Sequence, residues 1–235
     1  MKRWTALFSI LFFLLSVVLA AETAPQEDDL TLDQVLQRLD ERSHKVKSLH
    51  SGIEIKNWIK LLTEFDRPEK GEIWLLKDSG KTYFRRQIEE PHTNVLVVDG
   101  QEAVYYQPRI KQAVLYSLKG GGQKQHGVGN LFFALLTDRE TLEGNYQVEL
   151  TGREEIRGQN TYVLQLIPRD PQAARDFSKL VFYLSPQHWM PLRQTIHQSI
   201  GDYQQMDFTD LEINPKIDKN RFDLKLPDDV QRKRL

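Results

Sequence analysis

The chain has 235 residues, a formal net charge of −1 at pH 7 and no cysteine. Acidic and basic residues nearly balance, so there is no electrostatic basis for nucleic-acid binding and we predict no nucleic-acid partner. Without cysteine, neither a disulfide nor a thiol-linked lipid anchor can form.

The N-terminus has the pattern of an export signal. Two basic residues precede an apolar run from Leu7 to Leu19, and alanines follow it. The run is too short for a helix to cross a hydrocarbon core of ~30 Å comfortably. We therefore predict a cleaved signal peptide over residues 1–21 and an exported domain over 22–235, with an uncleaved membrane anchor as the alternative. This pattern favours the periplasm of a bacterium and no permanent membrane anchor; the exterior of a Gram-positive cell is the alternative.

An amphipathic helix is predicted to follow a polar, acidic leader. Thr31 and Gln34 have the spacing of a capping box, in which each side chain caps the backbone N–H of the other residue. Six apolar residues after this point fall on one helical face, which must therefore lie against an apolar surface. They are Leu32, Val35, Leu36, Leu39, Val46 and Leu49.

From about residue 51 the chain consists of short segments rich in β-branched and aromatic residues, with turn residues between them. Residues 97–106 are a strong hairpin signal, because their central Asp-Gly accommodates the positive φ angles of a tight turn. About eleven such segments at hairpin spacing predict a large antiparallel sheet, open or closed into a barrel. The segments are 51–64, 71–77, 81–88, 94–98, 103–107, 111–118, 145–152, 161–167, 178–184, 191–199 and 202–213.

One segment interrupts the strand pattern. Glycines are concentrated between residues 120 and 129, and the very apolar run 130–136 follows them. The run predicts a short helix that either fills the core or acts as a lid on a glycine hinge. The predicted hinge residues are Gly120, Gly121, Gly122, Gly127 and Gly129, and the predicted lid residues are Leu131, Phe132 and Leu135.

The motifs of common enzymes are missing from the sequence. The glycine cluster lacks the Gly-Lys-Ser/Thr of a phosphate loop, there is no Gly-x-Ser-x-Gly, and the histidines are scattered without ligand spacing. We therefore predict no catalytic residue, no metal site and no cofactor. A glycosidase-like pair of carboxylates that meets only in space is an alternative that the sequence leaves open.

Several strand segments are apolar on both faces, whereas a sheet with one wet face alternates apolar and polar residues. An ordinary core with a helix on top would explain this pattern. A curved sheet whose concave face is too wide for its own side chains would also explain it, and would leave an apolar cavity. The predicted cavity residues depend on register, because a slip of one residue moves the set to the other face. They are Ile73, Leu75, Val95, Val97, Leu180, Phe182 and Leu184.

Five motifs follow the helix in order along nearly all of the predicted domain. They are Val46-Lys47-Ser48-Leu49-His50; Gly71-Glu72-Ile73-Trp74; Glu90-Pro91 through Asp99-Gly100 to Tyr105-Tyr106-Gln107-Pro108 and Gln112; Leu184-Ser185-Pro186 with Met190-Pro191-Leu192-Arg193; and Phe222-Asp223-Leu224 with Leu226-Pro227-Asp228-Asp229-Val230. In this order they resemble the periplasmic outer-membrane lipoprotein carriers, the LolA-like family, and their lipid-binding relatives. In proteobacterial members an Arg-Pro step after the Trp strand braces a lid; here Lys77-Asp78-Ser79-Gly80 stands at that place.

The resemblance implies a mainly β protein with an α lid, built as an unclosed antiparallel half-barrel whose apolar concave face is covered by helices. The implied function is a periplasmic carrier that binds acyl chains of lipoproteins or lipids and transfers them towards the outer membrane. The implied partners are an inner-membrane donor complex and an outer-membrane acceptor. The alternative is a non-enzymatic envelope sensor or scaffolding module of the same fold that binds a protein partner.

Overall fold

The computed structural model describes residues 29–100, 102–117 and 136–234. In these ranges thirteen strands form one unclosed mixed sheet, accompanied by three α-helices. The predicted signal peptide, residues 1–21, lies outside the described residues, so its cleavage stays a prediction. The predicted hinge and lid also lie outside them: Gly120, Gly121, Gly122, Gly127, Gly129, Leu131, Phe132 and Leu135.

The helices are α1 (Leu32–Lys45), α2 (Arg139–Asn145) and α3 (Ala173–Asp176). The strands are β1 (Ser48–Ile59), β2 (Glu64–Phe65), β3 (Glu69–Asp78), β4 (Lys81–Glu90), β5 (Asn94–Asp99), β6 (Glu102–Gln107), β7 (Gln112–Ser117), β8 (Tyr146–Ile156), β9 (Gln159–Pro168), β10 (Lys179–Leu184), β11 (Pro191–His197), β12 (Tyr203–Ile213) and β13 (Gln231–Arg234).

Helix α1 begins at the predicted capping box. The Gln34 backbone N–H donates to Thr31 Oγ1 at 3.3 Å, and the Thr31 N–H donates to Gln34 Oε1 at 2.8 Å. The helix ends earlier than the apolar pattern predicted, because Val46 adopts an extended conformation. Leu49 therefore belongs to β1, where it pairs with Leu75 and Ile213 on the two neighbouring strands.

The sheet follows the order β13-β7-β6-β5-β4-β3-β1-β12-β11-β10-β9-β8, and β2 pairs with β1. All neighbours are antiparallel except β13, which runs parallel to β7. The mainly antiparallel, unclosed sheet confirms the predicted fold class. Two short strands, β2 and β13, were not predicted as separate strands. The basic residues of β13 are exposed, so backbone pairing rather than apolar burial places this strand.

Apolar clusters lie on both faces of the sheet. We call the face that carries α1 the inner face, where Val35, Leu36 and Leu39 pack on β9 and β10. On the other face, the outer face, Phe222 and its neighbours in the C-terminal segment pack on β3, β4 and β5 around Trp74. Two covered faces explain why several strands have no polar side.

Candidate functional site

Five of the seven predicted cavity residues lie on the inner face, in two clusters. Ile73 and Leu75 of β3 pack with residues of β1, β4, β5 and β12, including Leu96 and Phe208. The other three form the second cluster with α1 and β9: Leu180, Phe182 and Leu184. The register across β10, β11, β12 and β1 keeps both clusters on the same face of the sheet.

The two remaining predicted residues, Val95 and Val97, lie on the outer face. Both pack in the cluster of Trp74 and Phe222, beneath the C-terminal segment. Side chains alternate along β5, so its inner residues are Leu96, buried, and Val98, half-buried. The prediction chose the wrong alternate residues of β5 for the inner face.

The sequence contains a turn from which the register of β5 and β6 can be counted. The Asp99-Gly100 turn pairs Asp99 with Glu102, and therefore Val98 with Ala103 and Leu96 with Tyr105. Ala103 and Tyr105 belong to the inner cluster with Leu96. Counting back from the turn shows which residues of β5 and β6 share a face. Which of these faces also carries Ile73 and Leu75 depends on how β4 pairs with β3 and β5, and no turn in the sequence marks that pairing.

Helix α1 covers the β9–β10 part of the inner face. In the cluster with α1, Leu180, Phe182 and Leu184 are at most 1% exposed, so their side chains are fully occupied by protein contacts. Any ligand that reached these residues would have to displace α1. Helix α1 is therefore one of the elements that limit access to this part of the inner face.

Lys77 holds the C-terminal end of α1 to the sheet. Its Nζ donates to the carbonyl oxygens of Ser43 and Leu136, each at 3.1 Å. Ser43 lies in the last turn of α1, where carbonyls lack helical partners and the helix dipole favours a cation. Burial lowers the pKa of Lys77 from its ordinary value. Lys77 thus links the last turn of α1 to β3 and to the segment before α2.

Helix α2 provides a second attachment for α1. The Arg139 backbone N–H donates to Asp40 Oδ1 at 2.9 Å, and its guanidinium lies 2.8 Å from Asp33 Oδ1. Hydrogen bonds with Glu143 and Asp33 raise the pKa of Arg139. These polar contacts are at the protein surface, where ion pairs contribute little free energy. They tie α1 to α2.

An open cleft of about 450 Å³ adjoins the inner face. Met190 and Phe208, which belong to the inner cluster, line one part of it, and Arg157, His188 and Asp210 line another. Arg157 donates to the carbonyl oxygens of Leu192 and Phe208, which fixes the cleft wall. The sequence reasoning missed this cleft because its residues come from separate turns and strands.

The inner face of the described residues is mainly apolar. In the ranges that the structure covers, no group of three His, Asp or Glu side chains could hold a metal ion. Among the same residues, the helices are all too short or too polar to cross a membrane. Non-directional apolar contact is what the inner face offers to a ligand.

Comparisons with known proteins agree with this architecture. The curated outer-membrane lipoprotein carrier protein of Chromohalobacter salexigens is 26% identical over 159 residues, 68% of this chain and 68% of that protein. The crystal structure of an uncharacterized conserved protein from Thermus thermophilus has a TM-score of 0.55 at 12% identity, covering 86% of this chain and 98% of that chain. A crystal structure of MucB has a TM-score of 0.50 at 17% identity, covering 82% of this chain and 62% of MucB. At such identities the two structures demonstrate a shared fold alone.

The family model described as outer membrane lipoprotein carrier protein LolA matches residues 69–225, about two thirds of the chain. The matched range begins at β3 and runs through β12 and the C-terminal segment on the outer face. It therefore includes most strands of the inner face as well as the cover of the outer one. The chain belongs to the family of the outer membrane lipoprotein carrier protein LolA.

Proposed function

We propose that this protein is a periplasmic carrier that holds acyl chains of a lipoprotein or lipid on its inner face and delivers them towards the outer membrane. The observation that supports the proposal is the inner face, on which two apolar clusters extend from β5 through β3 and β1 to β9, one of them covered by α1. The family name and the predicted signal peptide support the periplasm as its location.

An acyl chain needs such a surface to cross an aqueous compartment. Each CH₂ group removed from water contributes about 0.8 kcal/mol, so a palmitoyl-length chain left in water would cost roughly 10 kcal/mol. Aliphatic side chains such as Ile73, Leu75 and Leu96 can shield it without directional bonds. Contacts of this kind hold the chain and still allow its release.

The displaceable cover gives the carrier a way to tune affinity. In the structure, α1 occupies the part of the inner face formed by Leu180, Phe182 and Leu184. An acyl chain that replaced α1 would gain only the difference between its own contacts and those of the helix. Loading by an inner-membrane donor complex and unloading to an outer-membrane acceptor would then act on this balance.

Lipid analysis of the purified protein tests the proposal directly. Native mass spectrometry followed by lipid extraction should find bound lipid, or uptake of added lipid, and long-chain lipid should displace an apolar fluorescent dye. Absence of lipid together with a stoichiometric protein partner would contradict the carrier and favour the sensor or scaffolding module.

Two adjacent residues of β5 provide a matched test of which face of the sheet binds the acyl chain. Leu96→Ala removes contacts from the inner face, so we expect acyl ligands to bind about three- to tenfold more weakly, since each CH₂ is worth up to ~0.8 kcal/mol. Val97→Ala removes contacts from the outer face and should leave the affinity unchanged. Dye displacement measures both, and equal losses in the two variants would contradict the assignment of the inner face.

A further inference from the structure

One charged side chain projects from the middle of the apolar inner face. Arg86 of β4 lies opposite Ile73 on β3 and opposite Leu96 on β5. Phe84 and Ile88, two residues away on the same strand, point to the same face and are buried. In the sheet, Arg86 is therefore flanked on four sides by apolar residues.

The described protein groups do not satisfy this guanidinium. Arg86 Nε is buried and has no hydrogen-bond partner, and none of the hydrogen bonds or ion pairs within the described ranges involves Arg86. Burial lowers the pKa of Arg86, opposed by the nearby Tyr105 and Glu69. An arginine nevertheless keeps its charge in proteins, so a partly desolvated cation stands in the inner face.

The adjacent arginine shows what a satisfied environment looks like on the same strand. Arg85 points to the outer face, where its Nε and Nη2 donate to Gln87 Oε1 at 3.2 and 2.9 Å. Its Nη1 donates to the carbonyl oxygen of Arg221 at 3.0 Å. The two consecutive arginines thus differ in their hydrogen bonds. Among the residues that the structure describes, Arg85 has acceptors and Arg86 has none.

We propose that Arg86 binds the anionic group, a carboxylate or a phosphate, of an amphiphile whose acyl chain lies on the inner face. This inference rests on the proposed function and specifies its ligand as an acidic lipid. The planar guanidinium can donate two parallel hydrogen bonds to either group, and such charge-assisted pairs are strong where water is excluded. A neutral lipid would leave the cation desolvated and without an acceptor.

Tyr105 is positioned to contribute a second donor. Tyr105 lies on β6, opposite Leu96 of β5, and packs against the same inner cluster. Burial raises the pKa of Tyr105, so its hydroxyl keeps its proton at neutral pH and can donate. The charge of Glu69 acts on both Arg86 and Tyr105, so it does not favour one side of the guanidinium over the other. We place the anionic group between the two donors, Arg86 and Tyr105.

The test compares ligands that share one chain length. Displacement of an apolar fluorescent dye from the full exported chain is measured with palmitate, monopalmitoyl lysophosphatidic acid and the neutral hexadecanol. We expect at least one of the two anions to bind about tenfold or more tightly than hexadecanol. Preference for palmitate indicates a carboxylate ligand, and preference for the lysophosphatidic acid indicates a phosphate.

Substitutions on the two faces of β4 then test whether Arg86 causes the preference for anionic ligands. Arg86→Gln should abolish it while leaving hexadecanol binding unchanged, Arg86→Lys should retain part of it, and Arg85→Gln should bind like the parent. Equal weakening of all three ligands in Arg86→Gln, or an unchanged preference, would overturn the inference. If Arg86→Gln fails to fold, an undiminished preference for the anions in a folded Arg86→Met variant would overturn it equally.

The failure of this inference is distinguishable from the failure of the carrier proposal. If the parent protein binds hexadecanol, palmitate and the lysophosphatidic acid equally, the carrier stands and the role of Arg86 is wrong. If the parent binds none of the three amphiphiles, both are wrong, and capture of an acidic protein segment by Arg86 becomes the competing explanation.

Discussion

At the scale of single residues, Lys77 links the end of α1 to another segment of the chain. One ammonium group joins the last turn of the helix at Ser43 to Leu136, which precedes α2. The two carbonyl oxygens come from segments far apart in the chain. A substitution that removes the ammonium group would leave both without this hydrogen-bond donor. The residue is half-buried, so water replaces those hydrogen bonds only in part.

Lys77→Met should therefore loosen α1 without removing apolar surface. We expect a loss of about 1–3 kcal/mol in the free energy of unfolding, the cost of leaving buried carbonyls unsatisfied. Hydrogen exchange within Leu32–Lys45 should become faster. Lys81→Met, at an exposed position on β4, is the control and should change neither quantity. Unchanged exchange in Lys77→Met would mean that the apolar packing of α1 alone holds it in place.

At the scale of the element, α1 is both a structural helix and the cover of the inner face. Its buried residues Val35, Leu36 and Leu39 contact the β9–β10 surface, and its polar face carries the ties to α2. The capping box stabilises the helix from a point outside these contacts. The stability of the cover can therefore be changed without altering the surface that a ligand would use.

Thr31→Ala uses this separation. Loss of the N-cap destabilises a helix by about 1 kcal/mol. If an acyl chain must displace α1, the same free energy should reappear as roughly fivefold tighter ligand binding. Gln37→Ala, on the exposed face of the helix, is the matched control. Dye displacement and thermal unfolding measure the two effects, and a destabilised variant with unchanged affinity would show that α1 is static.

At the scale of the whole molecule, the sheet has a core on each face, and the two cores are covered by different elements. The inner face is covered by a helix attached through few polar contacts, whereas the outer face is covered by the C-terminal segment around Phe222. Phe222 is 4% exposed and packs on Tyr83 at a ring distance of 5.7 Å. Arg221 beside it lies 4.8 Å above the Trp74 ring.

Phe222→Ala should consequently separate stability from binding. We expect a loss of about 3–5 kcal/mol in the free energy of unfolding, because a large buried ring is removed. The affinity for acyl ligands should stay the same below the unfolding transition, since the ring lies on the opposite face. Denaturant unfolding and dye displacement report the two quantities. A parallel fall in affinity would indicate that the two faces are coupled through the sheet.

The sequence by itself determined the features that depend on local spacing. Alternating β-branched and aromatic segments located eleven strands, the Asp99-Gly100 turn located a hairpin, and Thr31 with Gln34 located the start of α1. Each of these patterns acts over a few residues, where backbone preference and side-chain periodicity are sufficient. The order of motifs also identified the family, because it reflects the same succession of strands.

The tertiary structure decided every property that depends on which strands meet. The face predicted for Val95 and Val97 was wrong. Side chains alternate between the two faces of a strand, and only the pairings of β4 with β3 and β5 determine which residues of β5 share a face with Ile73. One partner of Arg85, the carbonyl oxygen of Arg221, lies 136 positions away, beyond the reach of any local pattern. The isolation of Arg86 follows from the same cause, since nothing in two consecutive arginines says which one faces the apolar inner surface.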